Sequence, residues 1–70
     1  MNMLKINGKE TLFGENKMPA TIADLLRRLC VDSATVVAEL DGQIIERVNF
    51  SATTLHGGQS IELVRFVPGG

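Results

Sequence analysis

The chain has one cysteine, one histidine, two prolines and neither tryptophan nor tyrosine among its 70 residues. With only Cys30 and His56 to offer as soft or imidazole ligands, it can assemble no zinc-type cluster within one chain, and a single thiol excludes an internal disulfide framework. A reducing, cytoplasmic compartment is the expected location. Basic residues are few as well: 7 Lys and Arg stand against 8 Asp and Glu, giving a formal net charge of -1. They are scattered, so the electrostatic footprint of a nucleic-acid binder is missing. No apolar run approaches the roughly 20 residues of a membrane span, and Met1 to Asn7 lacks the basic-then-apolar plan of a signal peptide. Neither a membrane partner nor export is expected. The chain has no phosphate loop and no recognisable constellation of acid, base and nucleophile, so a standalone enzyme with a bound cofactor is not expected either.

A chain of this length forms one domain, residues 1-70, that buries only about 60% of the surface its unfolded form exposes. Its core is small, and a large internal active site does not fit inside it. The 44% hydrophobic content is too high for a disordered chain, so the domain is expected to fold alone.

Leu4 and Ile6 alternate with Met3 and Lys5, Asn7-Gly8 interrupts them, and Lys9 to Phe13 resume in β-favouring residues. Asn-Gly is the strongest short hairpin signal, because a type I′ turn needs positive φ at both positions. Strands are predicted at about 3-7 and 9-13, with Lys5 facing Glu10 and with Leu4 and Ile6 toward the core. Gly14 to Ala20 reads as a loop. Thr21 then has the character of an N-cap with Asp24 three residues on, and Ile22, Leu25, Leu26 and Leu29 form an apolar stripe at helical spacing. Arg27 and Arg28 suit the C-terminal end of that helix dipole. Cys30 falls where the helix ends, where the dipole disfavours a thiolate, and reads as a buried or semi-buried bystander.

Thr35 to Leu40, Asp41-Gly42 and Gln43 to Ile45 predict a second hairpin. Glu46 to Thr54 shows neither period and reads as an irregular crossover with a short helical turn, in which Val48, Phe50 and Leu55 need burial. His56 to Gln59 is a turn, so His56 reads as a turn residue and not as a catalytic base. Ser60 to Val67 is the last strand, with Ile61 and Leu63 on one face and Glu62, Val64 and Phe66 on the other. One strong helix can cover only one side of the sheet, so the Val64 and Phe66 face is expected to be exposed and to meet a partner, together with Val67. The order of elements is α+β: a ubiquitin-like β-grasp, with a mixed sheet of four to five strands and one main helix packed across it. By analogy with that fold the first and last strands lie parallel.

Pro68 cannot donate to a ladder and holds Val67 extended, so the sheet should stop there. Residues 68-70 are then expected to form a flexible tail. Gly69 and Gly70 have no side chains and can thread a narrow channel in another protein, and Gly70 carries the terminal carboxylate. Such a terminus suits acyl activation as a mixed anhydride with AMP, with the nucleotide site in the partner because this chain has no phosphate loop.

Over nearly its whole length the chain resembles the ubiquitin-like sulfur carriers of thiamine biosynthesis, the ThiS family. The resemblance rests on residues 4-9 (Leu-Lys-Ile-Asn-Gly-Lys), residues 21-26 (Thr-Ile-Ala-Asp-Leu-Leu), the run from Val37 to Ile45, and the close from Ile61 to Gly70. It implies that an E1-like adenylyltransferase uses ATP and Mg to adenylate the Gly70 carboxylate. Sulfur from a cysteine desulfurase or another persulfide donor then yields a thiocarboxylate, which thiazole synthase consumes. The carrier itself is implied to be a protein cosubstrate and not a catalyst. Glu46 stands where members often carry Pro, and Phe50 where Trp is common; neither touches the tail chemistry. The tail is also similar to that of the molybdopterin-synthase small subunit, which is usually longer. An interaction or modifier module without sulfur chemistry is the alternative from a different class.

Overall fold

The computed structural model describes residues 2-66; the predictions made for Val67, Pro68, Gly69 and Gly70 lie outside the described residues. Five strands and one helix follow in the order β1 (Met3–Ile6), β2 (Lys9–Leu12), α1 (Ile22–Arg28), β3 (Val36–Leu40), β4 (Gln43–Ile45) and β5 (Ser60–Arg65). Short 3-10 turns at Ser33–Thr35 and Arg47–Asn49 complete the set. The sheet order is β2-β1-β5-β3-β4, so the last strand is the central one. It runs parallel to β1 and antiparallel to β3. This mixed sheet with a single helix across it is the β-grasp arrangement expected from the order of elements.

Both hairpins turn as their sequences require. Asn7 and Gly8 take φ of 51° and 81°, and Asp41 and Gly42 take 48° and 87°. These are the left-handed pairs of type I′ turns, which glycine and short Asx side chains adopt most readily. The first turn sets the register so that Lys5 lies opposite Glu10, as predicted.

The helix begins at Thr21, whose hydroxyl accepts the Asp24 N–H at 3.2 Å. A helix start leaves its first N–H groups without internal partners. Here the 46-55 crossover supplies them: Ile22 N–H donates to the Thr53 carbonyl at 3.2 Å and Ala23 N–H to that of Phe50 at 3.1 Å. The core gathers under the helix from Leu4, Ile22, Leu25, Leu26, Ala38, Phe50 and Ile61, with Val36, Leu40 and Leu55 around them. Each large aliphatic side chain fully buried there is worth about 1.5–3 kcal/mol in transfer from water.

Four expectations are corrected. Leu29 has the spacing of the apolar stripe but is exposed, because the helix stops at that residue. Val31 N–H returns to the Leu26 carbonyl at 2.9 Å and Cys30 N–H to that of Arg27 at 3.1 Å, which closes the helix as a Schellman motif. That motif places Cys30 in the left-handed region at φ 56°, and turns it outward: the thiol is exposed and not buried or semi-buried. Val48 was expected to need burial and is 76% exposed. It sits inside the tight Arg47–Asn49 turn, which points Phe50 inward in its place. The strand predicted to start at Thr35 starts at Val36, since Asp32 caps a 3-10 turn through Ala34 N–H at 2.9 Å and holds Thr35 in it.

Candidate functional site

The strand that leads to the chain's terminal glycines is held on both sides by hairpin-turn residues. On the β1 flank, Asn7 N–H donates to the Ile61 carbonyl at 2.9 Å, and Asn7 Oδ1 accepts the Leu63 N–H at 2.7 Å. On the β3 flank, Asp41 N–H donates to the Ser60 carbonyl at 2.8 Å, and Asp41 Oδ1 accepts the Ser60 N–H at 2.9 Å. One physical cause unites these contacts. The parallel register of β1 with β5 is Lys5↔Ser60 and Ile6↔Ile61, and the chain then turns away at Asn7. A side-chain amide takes over where the strand ends. Beyond Arg65, Phe66 N–H still donates to the Thr35 carbonyl at 2.9 Å, so the last described residue remains tied to the sheet.

Strand alternation divides β5 between two environments. Ile61 is buried and Leu63 packs against the core, while Glu62, Val64 and Phe66 look away from the helix. Val64 is 62% exposed and Phe66 46%. Their exposure matches the sequence reading. What that reading left out is the company they keep: Val37 lies directly opposite Val64 on β3, and Ile44 on β4 lies opposite Glu39. Val37 and Ile44 are exposed as well, and with Phe66 they line a hollow of about 310 Å³ bordered by Ala34 and Arg47. The missing signal was the same alternation applied to β3 and β4. Val36-Val37 and Ile44-Ile45 are doublets, and in each one member faces the core and its neighbour faces out.

This is an apolar face on the outer side of the sheet, beside the point where the chain leaves it. Glu39 and Glu62 stand among its apolar side chains, directly opposite each other on β3 and β5. Among the described residues no group of three or more His, Cys, Asp or Glu could hold a metal ion. His56 lies in its predicted turn, where its N–H donates to Gln59 Oε1 at 2.6 Å. The thiol of Cys30 lies just past the C-terminal end of the helix and is exposed. No helix of the described residues is long and apolar enough to cross a membrane.

Comparison with known proteins adds a family to this geometry. The ThiS family model matches residues 4–70. A crystal structure of the thiamine biosynthesis protein ThiS from Geobacter metallireducens superposes with a TM-score of 0.79 at 33% identity, covering 97% of this chain and 99% of that one. A solution structure of a thiamine biosynthesis protein from the same organism gives 0.77 at 35% identity, covering 100% of this chain and 88% of that one. No curated protein matches the sequence.

Proposed function

The chain belongs to the ThiS family, and on that premise we propose that it is a sulfur carrier of thiamine biosynthesis, with the Gly70 carboxylate as the reacting group. One observation carries the reading: the family match runs through Gly70 and so takes in the whole Pro68-Gly69-Gly70 close. A carboxylate resists nucleophiles because its leaving group is an oxide. In an E1-like adenylyltransferase that uses ATP and Mg, a carboxylate oxygen attacks the α-phosphorus of ATP and pyrophosphate leaves, so the acyl carbon then bears AMP as its leaving group. The outer sulfur of a persulfide, generated by a cysteine desulfurase, attacks the acyl carbon and expels AMP. Cleavage of the remaining S–S bond by a thiol leaves the thiocarboxylate, and thiazole synthase takes its sulfur and returns the carboxylate.

The protein's own part is presentation. In this reading the outer face at Val64 and Phe66, with Val67 next in sequence, docks the enzyme, and Pro68 leads on to the terminal glycines. Gly69 and Gly70 then thread a channel too narrow for side chains. This division gives a protein cosubstrate that acts in the cytoplasm and performs no catalysis itself.

Intact-mass analysis tests the reading. The protein is incubated with ATP, Mg, the adenylyltransferase, a cysteine desulfurase, cysteine and a thiol reductant. The expected product has one oxygen exchanged for sulfur, located at Gly70 by fragmentation. An unchanged mass with an adenylyltransferase proven active on another carrier overturns it. Rescue of growth by thiazole in a strain lacking the protein identifies thiamine as the destination of the sulfur.

A further inference from the structure

We propose that Asn7 is a modification site: it deamidates through a cyclic imide with Gly8, and its isoaspartyl product releases the strand that leads to the terminal glycines. The sequence supplies the chemistry. Gly8 has no side chain to shield its backbone nitrogen, whereas the other asparagines, Asn2, Asn16 and Asn49, are followed by Met3, Lys17 and Phe50. A Cβ added at Gly8 would meet nothing within 4 Å, and Asn7 itself is exposed, so water reaches the turn. The Gly8 nitrogen bonds to Asn7 Cγ and gives up its proton, and the Cγ–Nδ2 bond breaks to release ammonia. Water then opens the imide. Attack at Cγ leaves aspartate, whereas attack at the main-chain carbonyl leaves isoaspartate, in which the chain runs through Cγ and gains one methylene. Nothing in this chemistry depends on the reaction at Gly70.

The sheet sets both the rate and the consequence. Asn7 Oδ1 accepts the Leu63 N–H at 2.7 Å, and Asn7 N–H donates to the Ile61 carbonyl at 2.9 Å. Ring closure needs the carboxamide to swing toward Gly8 and the Asn7–Gly8 peptide plane to leave the I′ geometry held at φ 51° and 81°. The Leu63 N–H also polarises the amide, but that gain is unused until the turn opens, so reaction follows local opening. Asp41 is the comparison within the same fold. It takes φ 48° in its own I′ turn, and its carboxylate accepts the Ser60 N–H at 2.9 Å, so an ordinary aspartate at position 7 keeps the clamp. Isoaspartate does not. A two-residue turn fixes register by its length, and a methylene added there displaces both contacts of residue 7 with β5.

Wild-type protein is held at mildly alkaline pH, folded and in urea, and ammonia loss is located by peptide mapping. Isoaspartate is counted by methyl transfer from a protein-isoaspartate methyltransferase. In urea Asn7 is expected to react fastest of the asparagines, and in the folded protein about tenfold more slowly than in urea. Equal rates at Asn7 in the two states, or another asparagine ahead of it in urea, overturn the proposal. Amide hydrogen exchange at Leu63 is then compared in the purified isoaspartyl form, Asn7→Asp and wild type. It is expected to be about tenfold faster in the isoaspartyl form and close to wild type in Asn7→Asp. An isoaspartyl form that exchanges like wild type overturns the proposal, as does Asn7→Asp that exchanges as fast as the isoaspartyl form. If the isoaspartyl form does not fold, Asn7→Gly decides, since it keeps the turn and lacks the amide. Faster exchange at Leu63 in that variant supports the clamp, and exchange as slow as in wild type refutes it.

Discussion

The side-chain amide of Asn7 accepts the backbone N–H of Leu63 at 2.7 Å, across 56 positions of sequence. It does so while Asn7 itself holds the left-handed φ of 51° that its turn requires. One residue therefore shapes the first hairpin and caps the strand that carries the tail. Asn7→Gly separates the two roles, since glycine accepts the turn freely but has no amide. The expected cost is about 1 kcal/mol, from the strand N–H that loses its partner. Asn7→Val loses both and is expected to cost about 2–3 kcal/mol, since a β-branched residue is also strained at positive φ. Urea unfolding of the two variants against wild type measures the difference.

Cys30 occupies the position after the helix where glycine is the usual resident, at φ 56° and with its thiol in solvent. Cys30→Gly removes the Cβ penalty of the left-handed conformation and is expected to stabilise the domain by up to about 1 kcal/mol. Cys30→Ala keeps the Cβ and is expected to be neutral. Neither variant, nor alkylation of the thiol, is expected to change the rate at which Gly70 is charged. A loss of charging in Cys30→Ala would give the thiol a part in the chemistry.

The Asp24 carboxylate is held below the usual aspartate range by its hydrogen bond to Arg27, an effect that partial burial opposes and that contacts with Thr21 reinforce. Because the folded-state value is the lower one, ionised Asp24 favours the folded state above the ordinary aspartate pKa. That contribution fades as pH falls through the folded value. Stability is therefore expected to drop on acidification below the normal aspartate range, and Asp24→Asn should flatten this part of the profile. Unfolding midpoints from pH 7 down to about pH 2 for both proteins provide the check.

The parts of this fold legible in the sequence are those set by neighbours in the chain. Asn7-Gly8 and Asp41-Gly42 announce I′ turns because few other residues accept two positive φ values in succession. Thr21 announces the helix start because its hydroxyl reaches only three residues ahead. Alternation in β5 correctly assigned Val64 and Phe66 to the open face. What stayed hidden depends on contacts between distant segments. Leu29 has the right spacing for the stripe, and its exposure follows from the hydrogen bonds by which Cys30 and Val31 end the helix. The opposition of Glu39 and Glu62 appears only once β5 is placed beside β3, a pairing between residues more than twenty positions apart. Val37 and Ile44 differ from that case, since the alternation that turns them to the outer face is local to β3 and β4.

Ile61 within β5 and Phe66, the residue that follows the strand, face opposite sides of the sheet, and this makes them a matched pair for separating docking from folding. Phe66 is 46% exposed, whereas Ile61 is fully buried beneath the helix. Phe66→Asp is therefore expected to change stability by no more than about 0.5 kcal/mol, as substitutions at exposed positions commonly do. In the proposed complex the same change places a carboxylate in the centre of an apolar contact. It should weaken binding to the adenylyltransferase by about 2 kcal/mol, roughly thirtyfold. Ile61→Ala is expected to behave in the reverse manner: a cost of about 2–5 kcal/mol in folding from the cavity it leaves, with little change in affinity for whatever fraction remains folded. Lengthening the chain by one alanine after Gly70 leaves both faces intact and is expected to abolish adenylation while binding persists, since only the threaded terminus is altered. Calorimetric binding and pyrophosphate release, measured on all three proteins, distinguish the roles. If Phe66→Asp unfolds the domain, Phe66 belongs to the core. If the extended chain is still adenylated, the channel argument for Gly69 and Gly70 fails and the face alone accounts for recognition.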